Sequence, residues 1–144
     1  TEDLPVMEST IEYLINEMSA SQPFPLLERT LDYGDNDYPS KWDTCIRGEG
    51  LGPELVKDFR VKAHNSVQLP PGFGADLGVV LTRPPGVVGE PGFLYAFTRP
   101  GFTSDSNQAL IYVEARAPTD GWGMHYLLER AGAHWKVVRV FCKG

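Results

Sequence analysis

Met124-His125-Tyr126-Leu127-Leu128-Glu129, then Arg130-Ala131-Gly132-Ala133, then Trp135-Lys136-Val137-Val138-Arg139-Val140-Phe141 is the stretch on which the fold turns. Aromatic and β-branched residues dominate both flanks, and the short linker carries a glycine that can take a positive φ. The stretch therefore predicts an antiparallel hairpin, with His125 to Glu129 pairing against Trp135 to Val140 around Gly132. Trp135 opens the second strand among aliphatic neighbours and is expected in the core, because its ring has a large apolar area to hide.

The same alternation continues upstream. Phe93, Tyr95 and Phe97 alternate with Leu94 and Ala96, and Ala109 to Ala115 alternates again. Asp105, Ser106, Asn107, Asp120 and Gly121 supply the turns between these runs. Four consecutive strands of this kind predict an antiparallel meander. Val67 to Leu69 and Gly78 to Thr82 read as further short strands, set in a region where Pro70 to Gly92 is dense in proline and glycine.

The N-terminal part reads as helix. Leu4, Met7, Ile11, Leu14, Ile15 and Met18 mark one apolar stripe from Asp3 to about Ala20, with Asp3 as cap and Pro5 in the first turn. Gly52-Pro53-Glu54 opens a second helix whose apolar side is Leu55, Val56 and Phe59, with Asn65 as its stop. Between them Pro23 and Pro25 break the chain, Leu26, Leu27 and Leu31 predict one or two helical turns, and Asp32 to Gly52 shows no clear period and reads as an irregular segment. Helices first and strands later make the fold class α+β: one domain over residues 1–144, with N-terminal helices on one face of an antiparallel meander of about four or more strands.

Composition narrows the function classes. Thirteen Lys and Arg stand against nineteen Asp and Glu, for a net charge of −6, which argues against binding a nucleic-acid phosphate backbone. No run approaches the length of apolar sequence that a membrane span requires. The opening Thr-Glu-Asp-Leu-Pro has neither the basic nor the apolar region of a signal peptide, and fits what remains once a signal peptide or lipid anchor is removed. Gly-x-Ser-x-Gly, His-Glu-x-x-His, Gly-x-Gly-x-x-Gly and the phosphate-loop pattern do not occur, so no catalytic residue, cofactor or metal is assigned.

Cys45 and Cys142 are the two cysteines, too far apart in sequence for a metal or thioredoxin-like pair. A disulfide between them would fasten the last strand to the irregular segment, closing a loop worth up to about 4 to 5 kcal/mol in the chain-entropy model. Two unrelated buried thiols are the alternative. An oxidising compartment follows from the bridge if it forms. Asp32, Asp35, Asp37 and Asp43 lack the spacing of a calcium loop and read as a solvated acidic surface. The interleaved Tyr33, Tyr38 and Trp42 suit a partner-facing patch, since aromatics concentrate at interface hot spots. His125, Glu129 and His134 form a weak metal or proton-sharing candidate. Arg99, with Phe102 near it, is either a ligand anchor or a loop tie.

Phe97-Thr98-Arg99-Pro100-Gly101-Phe102, Gln108-Ala109-Leu110-Ile111-Tyr112-Val113, Gly121-Trp122-Gly123-Met124-His125-Tyr126-Leu127-Leu128-Glu129 and Gly132-Ala133-His134-Trp135-Lys136-Val137-Val138 together resemble a pattern in a family of uncharacterised secreted or lipoprotein-like bacterial proteins. That pattern runs Phe-Ser-Arg-x-Gly-Phe, Ala-Leu-x-Tyr-Val, Tyr-x-Leu-Leu, Gly-x-Trp-x-Val, and Leu55-Val56-Lys57-Asp58-Phe59 resembles its upstream helix. Here Thr98 stands for the serine and Pro100 follows the arginine. The resemblance implies a bacterial, extracytoplasmic protein (periplasmic, secreted or lipid-anchored) and carries no activity with it. A non-catalytic domain that binds a protein or envelope component is the expectation. The closing hairpin also resembles the end of the nuclear-transport-factor-like cone fold, which implies the alternative of a small enzyme or small-molecule binder with a pocket between helices and curved sheet.

Overall fold

The structure, a computed structural model, describes residues 2–32, 40–83, 93–117 and 121–142, the side chains of 40–43 excepted. Its elements follow the order α1 (Asp3–Glu17), β1 (Phe24–Leu27), α2 (Ser40–Gly48), α3 (Pro53–Ala63), β2 (Val79–Thr82), β3 (Leu94–Phe97), β4 (Gly101–Phe102), β5 (Gln108–Arg116), β6 (Gly121–Ala131) and β7 (His134–Phe141), with a short 3-10 turn at Ala75–Leu77. The α+β class holds. The expected hairpin is present: Glu129 pairs with Lys136 and Ala131 with His134, and Gly132 takes a φ of +65° between them.

The sheet is mixed rather than a pure meander. Its order is β2-β1-β3-β5-β6-β7, with β4 also on β5. The antiparallel ladder of β3, β5, β6 and β7 is the expected part. The correction is β1, which lies parallel to β2 and to β3 where Leu26 and Leu27 had predicted helical turns. A short leucine run between prolines has no period of its own, so burial decides: Phe24, Leu26 and Leu27 are all buried once β2 and β3 flank them. Val67 to Leu69, expected as a strand, contributes only an isolated bridge from Gln68 to Arg29.

The helices cover both faces of the sheet, not one. Strand β5 shows why, because its alternate residues enter two separate cores. Ala109, Ile111, Val113 and Ala115 face Val6, Met7, Ile11 and Leu14 of α1, together with Phe24, Tyr126, Leu128 and Trp135. Leu110 and Tyr112 face Leu55, Phe59 and Ala63 of α3, Ile46 of α2, and Leu127 and Phe141. Strand β7 serves both cores because a bulge opposite Leu127 and Leu128 changes its facing: Trp135 and Val137 point to the α1 side and Phe141 to the α3 side.

Helix α1 is stabilised by packing, not by its cap. Glu2 occupies the cap position without a side-chain bond, and Asp3, expected as the cap, lies in the first turn. Each of the four fully buried apolar side chains contributes about 1.5 to 3 kcal/mol, more than a cap supplies. Helix α2 corrects part of the irregular segment expected for Asp32 to Gly52: Ser40–Gly48 is helical, and residues 33–39 lie outside the described ones. Helix α3 approaches β4 so closely that a Cβ on Gly101 would overlap the Phe59 backbone, so glycine is required there. Asp58 fixes the same contact by accepting from the Phe102 N–H at 2.7 Å and from Lys62 Nζ at 3.0 Å.

Candidate functional site

The sequence candidates disperse. Arg99 Nε donates to Asp3 Oδ2 at 2.8 Å, across 96 residues of chain, and the pair is largely buried. It ties the β3–β4 connection to the start of α1, the loop-tie alternative. Phe102 is buried edge-on against Trp135, with centroids 5.8 Å apart, under the Lys62 ammonium. Neither presents a free binding surface. Tyr33 and Tyr38, with Asp35 and Asp37, lie outside the described residues, as do the side chains of Trp42 and Asp43. The backbone of Trp42 belongs to α2.

The histidines do not converge. His125 is fully buried between Phe59, Tyr112 and Phe141, whose ring centroids lie 5.9, 4.8 and 5.8 Å away. Glu129 is exposed and accepts from Gln108, and His134 is exposed at the hairpin turn. No group of three or more metal-ligating side chains exists among the described residues. Burial holds the His125 pKa down at about 4, with its hydrogen bond to the Cys142 backbone offsetting part of the effect. The imidazole is thus neutral at ordinary pH and closed off from any cleft. On the opposite face Tyr126 is buried edge-on to Tyr13, and desolvation, then the neighbouring Tyr13 and Tyr95, push its hydroxyl pKa up.

Cys45 and Cys142 form a disulfide, with Cα atoms 6.0 Å apart. Sequence reasoning found this pair; it missed that Cys45 sits on a helix. The bridge therefore pins α2 to the end of β7. Arg139 adds to the attachment by pairing with Glu49 at 3.4 Å and donating to its carbonyl at 3.2 Å. Ile46, next to Cys45, is a buried anchor of α2 in the α3-side core.

A groove lies between α2 and α3. Ile46, Arg47 and Leu51 form one side, and Pro53, Val56, Lys57, Arg60 and Val61 the other, around a cavity of 420 Å³. Residues 53, 56, 57, 60 and 61 follow the spacing of a second helical stripe, rotated from the buried stripe of Leu55, Phe59 and Ala63. Val61 is 58% exposed. This second stripe was legible as a spacing, but without α2 there was nothing for it to face. A second cleft of 410 Å³ lies between α1 and β7, lined by Ser9, Glu12, Tyr13, Asn16, Glu17 and residues 134–137. Its lining mixes both signs of charge, carboxylates from α1 facing His134 and Lys136. No described helix is long and apolar enough to cross a membrane. Compared with protein-family models, curated proteins and solved structures, the chain matches none.

Proposed function

We propose that the chain is a non-catalytic, extracytoplasmic bacterial binding domain whose partner is a protein or envelope component and whose contact surface is the α2–α3 groove. The observation that carries this reading is the disulfide that fastens α2 to the end of β7, beside an open groove whose other wall is α3 and whose floor is apolar. A covalently held wall keeps the surface in its bound shape, and preorganisation of that kind lowers the cost of binding. The bridge also favours an oxidising compartment, in line with the resemblance to secreted and lipoprotein-like bacterial proteins.

Two features favour binding over catalysis. The histidine with the perturbed pKa is sealed in the core, so its shift is a cost of burial rather than the tuning of a base in a cleft. Helix α1 packs Val6, Met7, Ile11 and Leu14 straight onto the sheet with no exposure, and the cleft left between α1 and β7 is lined mostly by polar and charged residues, unlike the mostly apolar pocket of a small-molecule site.

The test is a photo-reactive amino acid placed at position 61, and at position 80 as a control, in the chain expressed in its own cells. Val80 is comparably exposed but sits on β2, away from the groove. The expected result is a discrete adduct from position 61 alone, formed in the envelope or secreted fraction. No adduct at 61, or equal adducts from both positions, overturns the reading.

A further inference from the structure

We infer that the α2–α3 groove takes an acidic, apolar segment of a partner protein, with large side chains on the floor formed by Leu51, Val56 and Val61 and carboxylates against Arg47 and Lys57. This rests on the binding-domain reading and names the chemistry of the partner.

The charge distribution carries the argument. In a chain of net charge −6, cations are expected to find carboxylates within the fold, and five of the described ones do. Arg99 pairs with Asp3, Lys62 with Asp58, Arg83 with Glu28, Arg116 with Glu114 and Arg139 with Glu49. Arg29, Arg47, Lys57, Arg130 and Lys136 have no ion pair among the described residues. Arg29 is held by Gln68 and the Ser66 carbonyl, Arg130 lies over the Trp135 ring and Lys136 stands alone by the second cleft. Arg47 and Lys57, by contrast, are exposed together on the rim of the groove. Arg60 belongs to the same rim. A cationic rim on an otherwise acidic molecule steers an anionic segment to this place and away from the rest of the surface.

The floor selects within the anions. A cavity of 420 Å³ falls in the range of sites that bury apolar groups, so a purely hydrophilic anion would leave it unfilled. A peptide offering both a carboxylate and a large apolar side chain satisfies rim and floor together. An anionic bilayer fits less well. Among the described residues the other large exposed apolar side chains, Met18, Val80 and Val138, lie on or beside other elements, and the net charge of −6 opposes a negative membrane surface.

The test pans the oxidised full chain against a random displayed-peptide library, then titrates the enriched peptides by fluorescence anisotropy. Titrations use wild type, the double variant Arg47→Glu with Lys57→Glu, Val61→Glu, and Lys136→Glu as a distant control. The four substitutions in these three variants all fall at exposed positions, so circular dichroism is expected to show the same fold. Enrichment of sequences combining Asp or Glu with a large apolar residue is expected. Binding is expected to weaken at least about tenfold in the double variant and in Val61→Glu, to weaken with added salt, and to stay unchanged in Lys136→Glu. Enrichment of basic or uncharged peptides that lose affinity only in Val61→Glu overturns the acidic partner while leaving the binding-domain reading in place. Pelleting with phosphatidylglycerol vesicles, or concentration-dependent self-association, that is abolished in the double variant while no peptide binds the groove assigns a different occupant and also overturns the inference. Failure to enrich any groove-directed peptide counts against it too, whereas the binding-domain reading itself falls only with the adduct at position 61.

Discussion

His125 hydrogen-bonds the backbone of Cys142, so the buried imidazole on β6 and the disulfide that holds α2 meet at one residue. Phe141 stacks on the same imidazole, with planes 20° apart. The end of β7 is therefore held from the sheet side by a neutral histidine and from the helix side by a covalent bond.

That arrangement makes stability depend on pH. The folded chain holds His125 at about 4, against an ordinary 6.5, so between these values the unfolded chain binds a proton that the folded chain does not. The associated stability is complete above about pH 6.5 and is lost as the pH falls through about 4, a difference of about 3 kcal/mol. Denaturant unfolding at about pH 7 and about pH 4 is expected to show wild type losing roughly that much more than His125→Leu. Equal losses would show that protonation of His125 is not linked to folding.

Removing the bridge is expected to loosen α2 and leave the sheet intact. The two cysteines lie 97 residues apart, and a bridge of that span contributes about 2 to 5 kcal/mol. The double variant Cys45→Ser with Cys142→Ser is expected to unfold at a lower denaturant midpoint by that amount. Its far-ultraviolet circular dichroism is expected to be nearly unchanged, because the α1-side core contains neither cysteine. A loss below about 1 kcal/mol would show that Ile46 and Arg139 hold α2 without it.

Gly101 is expected to be intolerant of a side chain. Any Cβ there meets the backbone of Phe59, which cannot rotate aside as a flexible side chain would. Gly101→Ala should cost about 3 kcal/mol or more, or displace α3. Gly132→Ala, with open space around it and only a positive φ to oppose it, should cost about 1 kcal/mol. Comparable midpoints for the two variants would contradict the close approach of α3 to β4.

Trp135 is 8% exposed, packed edge-on to Phe102 and covered by the Arg130 guanidinium at 5.5 Å. Trp135→Ala is expected to lose about 3 to 5 kcal/mol in denaturant unfolding. A loss under about 1 kcal/mol would place the ring outside the core.

What the sequence disclosed depended on whether a segment's signal was local. The hairpin around Gly132 was legible because both strands alternate and the turn residue lies between them. Helices α1 and α3 were legible because their apolar stripes have a helical period. Strand β1 was not, since Phe24 to Leu27 gains its identity from pairing with Val79 to Thr82, which lies more than 50 residues away. Helix α2 was hidden because its nine residues carry only Trp42, Cys45 and Ile46 at helical spacing, a single turn of stripe set among aspartates and glycines. The disulfide was inferable from two cysteines and a chain end that needs fastening; the groove was not, because it needs α2, a helix the sequence did not disclose, beside the second stripe of α3. Arg99 was open to two readings until Asp3 proved to be its partner.

The most direct measurement is amide hydrogen exchange on the oxidised full chain, alone and with the partner trapped through position 61. Slower exchange is expected in α2 and along Pro53 to Val61, with α1 and residues 134–137 unchanged. Protection confined to α1 and residues 134–137, the walls of the second cleft, would contradict binding in the α2–α3 groove.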